Sequence, residues 1–410
     1  MPAQTKNPTE PLGPITTLER VELIDAVRGF ALFGVLLANM VWLTQEVPMT
    51  PERLAALPTA SIDHIVKHAV TFFIDWKFIT LFSFLFGLGF AVQLIRAEER
   101  GQQIIGTYAR RLAVLFVFGI VHASVLWYGD ILTFYAMLGF VLILFRKASD
   151  RTLLIAAGVF AVVVPAVAHW IITQQPPPPP GTPSGADIRY EAFLSGDLIR
   201  VARENVRYVL TSFWSSGVFV FILSQVFGKF LLGYFVGRRR LLQDAAQHLD
   251  LYRTLLWWGL VVGVVCNGVW VLTDVLISEK QLSPRSDWML PVRFMIYLGT
   301  IALAGFYLSA IVLLYQRDSW RPRISLLAPV GRMALTNYLM HTVFNLLIFY
   351  GYGLGLLGKV GTTFCVALSL AIFALQIVYS RWWLSRFRFG PAEWLWRALT
   401  YGKVQPMRVK

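Results

Sequence analysis

Long apolar runs separated by short polar gaps recur along nearly the whole chain. A helix rises about 1.5 Å per residue and the hydrocarbon core of a bilayer is about 30 Å thick, so about 20 apolar residues make one crossing. Runs of roughly this length lie near 24–44, 70–95, 112–128, 131–146, 153–172, 208–236, 254–277, 291–315, 333–351 and 362–384. The pattern predicts an all-α, polytopic integral membrane bundle of about ten transmembrane helices. Only Gly129 and Asp130 separate the third run from the fourth, which indicates a tight hairpin.

Positive charge is distributed unevenly over the gaps between these runs. About 25 of the 37 Lys and Arg residues lie in the N-terminal segment, in the gaps 96–111, 146–152, 237–253 and 316–332, and in the C-terminal tail. The alternate gaps hold about 10. Because Lys and Arg are enriched in cytoplasmic loops, this alternation predicts that both termini are cytoplasmic (N-in/C-in). The expected location is the bacterial inner membrane, crossed many times.

The composition agrees with a lipid environment. The chain is 56% hydrophobic and 15% charged, whereas soluble domains have roughly 45–50% and about 25%. The net charge of +14 does not indicate nucleic-acid binding, because the basic residues sit in the gaps and form no single stripe interleaved with aromatic residues. Cys266 and Cys365 both lie inside apolar runs, so they predict neither a disulfide framework nor a metal site.

Two segments outside the runs have distinctive patterns. The outer gap at 173–207 contains Pro176–Pro180, which predicts a stiff polyproline II spacer, and then a short amphipathic helix from about Tyr190 to Val201. The tail after Trp383 alternates arginine with aromatic residues, which predicts an interfacial helix on the cytoplasmic face.

Polar side chains within the runs are the candidate site residues, because such groups are costly in lipid. Asp25 and Arg28 open the first run on one helix face; an intrahelical ion pair at the interface is the alternative interpretation. Asn39 lies about 16 Å deeper on nearly the same face, where it could equally bond a neighbouring helix. Lys77 lies near the outer end of the second run and is either a binding residue or a lysine that snorkels to the interface.

His122 is the foremost candidate catalytic residue. It lies ten residues past Leu112, about 15 Å from the cytoplasmic end and near the bilayer midplane. A titratable group at this depth favours a general base over a histidine that only bonds a carbonyl. Asp130, at the outer end of the hairpin, is either an orienting residue or a turn or cap residue. Eight residues of helix would separate the two by about 12 Å, too far for contact unless the chain turns back.

The ninth run adds a second polar group, formed by Arg332, Asn337 and His341. Asn337 and His341 are four residues apart and share a helix face. His341 lies about 14 Å from the cytoplasmic end, much the same depth as His122. Two histidines at one depth, with Arg28 and Arg332 at the cytoplasmic helix ends, predict a cavity that opens to the cytoplasm.

Several stretches resemble the YeiB-like family of bacterial inner-membrane proteins, whose C-terminal part is a domain of unknown function. They are Asp25–Gly34 with Asn39, Lys77–Phe78, Leu81–Gly87, Gly119–His122, Gly129–Leu132, Gly331–Leu339, Gly390–Arg397 and Leu399–Thr400. The resemblance covers about 20–402. It departs at His341, where the family commonly has Gln, so His341 is expected to be accessory and not essential.

The N-terminal half also resembles a superfamily of transmembrane acyltransferases that includes the lysosomal heparan-glucosaminide acetyltransferases and bacterial surface-polysaccharide O-acetyltransferases. This resemblance implies an acyl-CoA donor in the cytoplasm and an acceptor at or across the membrane. In that interpretation His122 is the general base and Asp130 orients the outer end of the cavity. The expected donor and acceptor contacts are Asp25, Arg28, Asn39, Lys77, Arg332, Asn337 and His341. The implied divisions are a cytoplasmic tail 1–20, an acyltransferase-like half 21–172, a periplasmic loop 173–207, a C-terminal transmembrane domain 208–402 and a tail 403–410.

The predicted function is therefore transfer of an acyl group to a hydroxyl or amine of a membrane or cell-envelope acceptor. Acyl-CoA is expected as a co-substrate, with no tightly bound cofactor and no metal. Expected partners are membrane lipids and a small-molecule, glycan or lipid acceptor; nucleic acid is not expected, and a homo-oligomer is left open. A transporter or permease for a small solute or envelope precursor is the alternative, although the sequence has no repeated halves. An envelope protein without turnover is a third interpretation.

Overall fold

The fold is described from a computed structural model of the 410-residue chain. It describes residues 21–45, 56–102, 104–176, 185–214 and 216–409. These residues are overwhelmingly helical and, apart from one isolated bridge between Phe387 and Arg408, they contain no strand. The predicted all-α membrane bundle is confirmed.

The helices are named in chain order. They are α1 Glu22–Gln45, α2 Ala60–Phe73, α3 Lys77–Glu98, α4 Ile105–Val121, α5 Leu132–Leu144, α6 Asp150–Gly158, α7 Val164–Gln174, α8 Gly185–Leu194, α9 Leu198–Arg207, α10 Val218–Arg238, α11 Leu249–Ser278, α12 Met289–Tyr315, α13 Arg321–Ser325, α14 Ala328–Arg332, α15 Ala334–Phe349, α16 Thr362–Arg386 and α17 Pro391–Tyr401.

Eight helical segments among the described residues are long and apolar enough to cross a membrane. They contain α1, α2 with α3, α4, α6 with α7, α10, α11, α12 and α16. The other two predicted runs coincide with the shorter helices α5, with 13 residues, and α15, with 16 residues. Both are shorter than the roughly 20 residues that span 30 Å. All ten predicted runs thus coincide with helices of the described residues, and eight of the helical segments are long and apolar enough to cross a membrane.

Three helix boundaries differ from the apolar pattern. Helix α4 begins at Ile105 and not near 112, because the amphipathic start of a helix can extend beyond the hydrocarbon. Helix α10 begins at Val218, while the residues from Tyr208 to Phe213 continue α9 as a π-helical turn. The outer loop contains two helices, α8 and α9, where one was expected; most of its proline run lies outside the described residues.

Helix α1 lies at the centre of the bundle. In the most apolar stretch of this helix, 72% of the residues are buried inside the protein. The corresponding share is 22–56% in the other seven segments. It packs against α3, α14, α15 and α16, while α3 also packs closely on α10, and α11 pairs with α12. The last helix, α17, packs on α4 and α15, so the aromatic and cationic tail is docked on the bundle in addition to forming the expected helix.

Candidate functional site

One elongated cavity of about 640 Å³ follows α1 through the bundle. Its lining includes both Val21 and Trp42, which lie at opposite ends of this helix. Twenty-one residues of helix correspond to about 32 Å, close to the thickness of the hydrocarbon core. The volume is within the range of pockets that bind small molecules and cofactors, about 300–1,000 Å³. The cavity therefore links the two ends of the transmembrane bundle.

The end of the cavity beside Val21 is rich in charged side chains. Its arginines are Arg28, Arg96, Arg111, Arg240, Arg332 and Arg397, and its acids are Asp25, Glu99, Asp244 and Glu393. These residues come from the start of α1, the end of α3, the start of α4, the segment after α10, α14 and α17. All of those chain segments are predicted to be cytoplasmic. The guanidinium group forms paired hydrogen bonds with phosphate oxygens, so this end is suited to a polyanionic ligand.

Two glycines bring Arg28 and Arg332 to the same end of the cavity. A Cβ atom on Gly331 would overlap the Asp25 carbonyl oxygen, and a Cβ atom on Gly29 would overlap the Leu327 carbonyl oxygen. Helices α1 and α14 therefore meet backbone to backbone, which only glycine allows at these positions. Arg28 directly precedes Gly29, and Arg332 directly follows Gly331. The close helix contact therefore places both arginines in the lining of the same cavity.

Arg28 also forms the predicted ion pair within α1. Its Nη1 atom donates to Oδ1 of Asp25 over 2.7 Å, and the Arg28 side chain retains 26% exposure while Asp25 retains 5%. The ion-pair interpretation is confirmed, yet both residues line the cavity. The pair can therefore present a guanidinium to the cavity while its carboxylate is held against the helix.

Glu393 connects α17 to the start of α15. Its Oε1 atom accepts hydrogen bonds from the backbone N–H groups of Leu335 (2.6 Å) and Thr336 (3.1 Å), and its Oε2 atom accepts from the Thr336 hydroxyl (2.6 Å). A carboxylate at a helix N-terminus is stabilised by the helix dipole, but burial is the larger effect here and raises the pKa of the Glu393 carboxyl. Glu393 thus fixes the start of α15, which follows Arg332 in the chain.

His122 and Asp130 are in direct contact. The His122 Nδ1 atom lies 3.0 Å from Oδ1 of Asp130, and both side chains are almost fully buried. Eight residues of straight helix would hold them apart, but α4 ends in a π-helical turn from His122 to Leu126, and Trp127 is extended. The chain turns back there, which is the condition under which the sequence allowed the two residues to meet.

Asp130 also caps the next helix. Its two carboxylate oxygens accept hydrogen bonds from the backbone N–H groups of Leu132 (3.0 Å) and Thr133 (2.7 Å) at the start of α5. The cap interpretation of Asp130 is therefore confirmed together with its contact to His122. Asp130 lines the cavity, whereas His122 lies behind it.

The second ring nitrogen of His122 faces α15. Its Nε2 atom lies 2.8 Å from the Thr342 hydroxyl, and its ring packs against the Tyr338 ring at a centroid distance of 5.3 Å. Tyr338 lines the cavity and its hydroxyl makes no hydrogen bond of normal geometry among the described residues. His122 Nδ1 makes no hydrogen bond of normal geometry among the described residues, so Asp130 is a close neighbour of this nitrogen, while Thr342 and Tyr338 fix the orientation of the ring.

The other predicted site residues divide between the cavity and its supporting wall. Asn39 lines the cavity. Lys77 is fully buried and donates from Nζ to the Thr71 carbonyl oxygen over 2.6 Å, beneath the Trp270 ring. It does not snorkel. Its ammonium fixes the junction between α2 and α3, where Trp76 adopts a left-handed backbone conformation.

Asn337 and His341 face α16 and not the cavity. The Asn337 amide donates to the Val330 carbonyl oxygen (3.2 Å) and the Ser380 hydroxyl (3.1 Å). The His341 Nε2 atom lies 2.9 Å from Oε1 of Gln376. The two mid-membrane histidines therefore have separate partners, and neither is among the residues that line the described cavity.

Sequence reasoning missed Glu393, Tyr338 and the pair formed by Arg111 and Trp396. The Arg111 guanidinium stacks 4.0 Å from the Trp396 ring centroid, and the Trp396 indole N–H donates to the Arg111 carbonyl oxygen over 3.0 Å. One signal was available, since Glu393 is the single acidic residue of the basic, aromatic tail after Trp383. Nothing comparable in the local sequence distinguishes Tyr338 from the other fourteen tyrosines.

Comparisons with known proteins give relatives along the whole chain. A family profile described as "Protein of unknown function (DUF418)" matches residues 236–403. YxaH of Bacillus subtilis (strain 168) is 34% identical over 413 residues, covering 97% of this chain and 98% of its own length. An uncharacterized 39.9 kDa protein in the amylase 3' region of Bacillus acidopullulyticus is 29% identical, with 97% and 99% covered. YeiB of Escherichia coli (strain K12) is 28% identical, with 95% and 98% covered.

Proposed function

The chain belongs to the family of YxaH and YeiB, and from that premise we propose that it is a transmembrane acyltransferase of the bacterial inner membrane. It takes an acyl group from acyl-CoA on the cytoplasmic side and transfers it to a hydroxyl or amine of a membrane or cell-envelope acceptor. The observation that carries the proposal is the single cavity, which joins the arginine-rich end to the Asp130 carboxylate. Donor and acceptor can therefore meet inside one continuous cavity.

The donor enters at the arginine-rich end. Acyl-CoA carries its phosphates at one end and its thioester at the end of a long, flexible arm, so an elongated cavity suits its shape. Arg28 and Arg332 bind phosphate oxygens through paired hydrogen bonds. Trp396, already stacked with Arg111, offers an aromatic face to the nucleobase. The apolar lining beyond these residues receives the arm.

The Asp130–His122 pair removes the acceptor's proton. Asp130 meets the acceptor because its carboxylate faces the cavity, while His122 lies behind it with Nδ1 3.0 Å away. The pair accepts this proton. The acceptor oxygen or nitrogen then forms a bond with the acyl carbon, the carbon–sulfur bond breaks, and the proton passes to the CoA sulfur. Asn39 donates a hydrogen bond to the thioester carbonyl oxygen as negative charge develops there.

Lys77, Asn337 and His341 support this site from behind. Their polar atoms are used in the hydrogen bonds that hold α2 to α3 and α15 to α16, so they position the helices that carry the cavity residues. His341 has an amide partner, Gln376 of α16, and its role is to hold α15 against α16.

A transfer assay with sided membrane vesicles tests the proposal. Inside-out vesicles containing the protein should move radiolabelled acetyl from acetyl-CoA into an extractable membrane or envelope fraction, and right-side-out vesicles should not. Asp130→Asn should reduce the transfer by about 10²–10⁴, the usual contribution of general acid–base catalysis. Equal labelling of vesicles with and without the protein would contradict the proposal.

A permease is the second candidate, and the reach of the cavity along the whole of α1 favours it. The same vesicles separate the two functions. A permease accumulates a solute without covalent change, whereas the transferase produces a labelled acceptor and free CoA.

A further inference from the structure

Two histidines form a close pair on the polar face of α2, far from the proposed transfer site. His64 and His68 are one helical turn apart, and their Nε2 atoms lie 3.1 Å from each other with the ring planes at 84°. The Nδ1 atom of His68 is buried, makes no hydrogen bond among the described residues, and lies 3.8 Å from Oδ2 of Asp274 on α11. The side chains of two helices thus converge on one imidazole.

The helix lengths place this pair outside the hydrocarbon core. Helix α3 alone has 22 residues, which corresponds to about 33 Å and is sufficient to cross the bilayer. Helix α2 precedes α3 in the same apolar segment of 39 residues, so its first turns extend beyond the membrane. His64 is exposed and Asp274 is 41% exposed, which makes the pair accessible to ions from the predicted periplasmic side.

We propose that His64 and His68 bind a late transition-metal ion of the Zn²⁺, Cu²⁺ or Ni²⁺ class through their Nε2 atoms. Imidazole is a preferred ligand of these ions. With metal–nitrogen bonds of about 2.0–2.1 Å, nitrogen atoms 3.1 Å apart subtend an angle of about 95–102° at the metal. That angle lies between the octahedral and tetrahedral values. The two rings are therefore already spaced as ligands of one ion.

Asp274 completes the arrangement on the opposite side of His68. A histidine that binds a metal through one nitrogen normally donates the N–H of its other nitrogen to a carboxylate or carbonyl, which fixes the ring and increases its basicity. The exposed Asp274 carboxylate needs only a small rotation to reach hydrogen-bond distance from Nδ1. The described residues contain no group of three or more His, Cys, Asp or Glu side chains placed for one metal, so water fills the remaining coordination positions.

Metal binding would join α2 to α11 at the outer end of the bundle. Helix α2 leads into the left-handed Trp76, and Trp76 lines the cavity. An ion held by His64 and His68, with Asp274 fixed behind it, would therefore restrain the segment next to the outer part of the cavity. The site does not depend on the chemistry proposed for Asp130 and His122.

Titration of the purified, full-length protein with ZnCl₂ tests this inference. The protein should carry no polyhistidine tag and should first be freed of metal with a chelator. Calorimetry should detect one bound Zn²⁺ per chain, and His64→Gln and His68→Gln should each weaken binding by more than tenfold. Asp274→Asn should weaken it by about 10–100-fold, the usual effect of losing such a carboxylate. The matched control His248→Gln, on the predicted cytoplasmic side, should leave the affinity unchanged.

Paramagnetic resonance of the Cu²⁺-loaded wild type gives a second test that needs no variant. The spectrum should contain hyperfine couplings from two imidazole nitrogens. Absence of Zn²⁺ binding at millimolar concentration would overturn the proposal. So would binding that persists in both histidine variants, or a copper spectrum without two nitrogen ligands.

Discussion

Replacing His122 provides the most informative test of the transfer site, because the structure separates its chemical role from its packing. His122 is 1% exposed, lies 3.0 Å from Asp130 and 2.8 Å from Thr342, and packs on Tyr338. His122→Ala removes all of these contacts at once. Removing the partner of a buried polar group costs about 1–3 kcal/mol, and this variant also leaves a cavity, so it is expected to lose stability as well as activity.

Two other substitutions keep part of the contact network. Asn places its amide near the position of Nδ1 and can still donate to Asp130, whereas Gln reaches the position of Nε2 and can still bond the Thr342 hydroxyl. Each leaves one buried polar group without its partner, at a cost of about 1–3 kcal/mol. Neither amide can take up a proton at neutral pH. Both variants should therefore lose about 10²–10⁴ of the transfer rate, although their stability losses differ from that of His122→Ala.

The assay combines acetyl transfer in inside-out vesicles with thermal unfolding of the purified variants. His341→Gln is the matched control, since it changes a buried histidine on α15 whose Nε2 atom bonds an amide, and its transfer rate should remain within a few-fold of the wild type. If His122→Asn or His122→Gln retains transfer within tenfold of the wild type, the assignment of His122 to proton transfer is refuted. A loss of rate that merely follows the loss of stability in all three variants would refute it as well.

Three further predictions follow from the fold. Reporter fusions after Arg240 should report a cytoplasmic location and fusions near Ser283 a periplasmic one, as the Lys and Arg distribution predicts. The reverse result would contradict the predicted N-in/C-in orientation. Gly331→Ala should destabilise the protein by about 1–3 kcal/mol or more in thermal unfolding, because the added Cβ atom would overlap the α1 backbone. The control Gly305→Ala should not destabilise the protein, because the space around Gly305 is open. Because burial raises the pKa of the Glu393 carboxyl, the folded protein holds this proton more tightly than the unfolded chain. The stability contributed by the group is full below the unfolded pKa of about 4.3 and is lost as pH rises through the folded pKa. The unfolding free energy of Glu393→Gln should not show this decline with rising pH. If the unfolding free energies of the wild type and Glu393→Gln have the same slope against pH, the reasoning is contradicted.

The membrane architecture was predictable because lipid imposes a simple requirement on sequence. Every backbone polar group must be satisfied within the segment that crosses the bilayer, so each crossing is a helix and each helix is an apolar run. The ends of the helices were less predictable. Helix α4 continues seven residues before its expected start near Leu112, because a helix does not stop where the hydrocarbon does.

The charged end of the cavity was also predictable in part. Arg28 and Arg332 were identified from their places at cytoplasmic helix ends, and both line the cavity. Their proximity depends on the contact between Gly29 and Gly331, which involves residues about 300 positions apart. No local sequence pattern indicates a contact between residues so far apart in the chain. The same limit applies to Glu393, whose partners lie at the start of α15.

The contact between His122 and Asp130 could not be derived by counting residues. A regular helix would keep them about 12 Å apart, and only the π-helical turn followed by the extended Trp127 allows the chain to fold back. Such turns depend on packing against neighbouring helices and are frequent at functional sites. Lys77 shows the same limit, since its position left a binding role and snorkelling equally open, whereas in the structure its ammonium is buried against the Thr71 carbonyl oxygen of α2.

Binding of acetyl-CoA to the purified protein tests the central claim most directly. Calorimetry in detergent should detect binding to the wild type. Arg28→Lys and Arg332→Lys, which keep the charge but lose the paired hydrogen bonds, should each weaken the affinity by about 1–3 kcal/mol, or roughly 5- to 150-fold. Their thermal stability should be nearly that of the wild type. No detectable binding to the wild type at millimolar acetyl-CoA would contradict the account and leave the permease ahead.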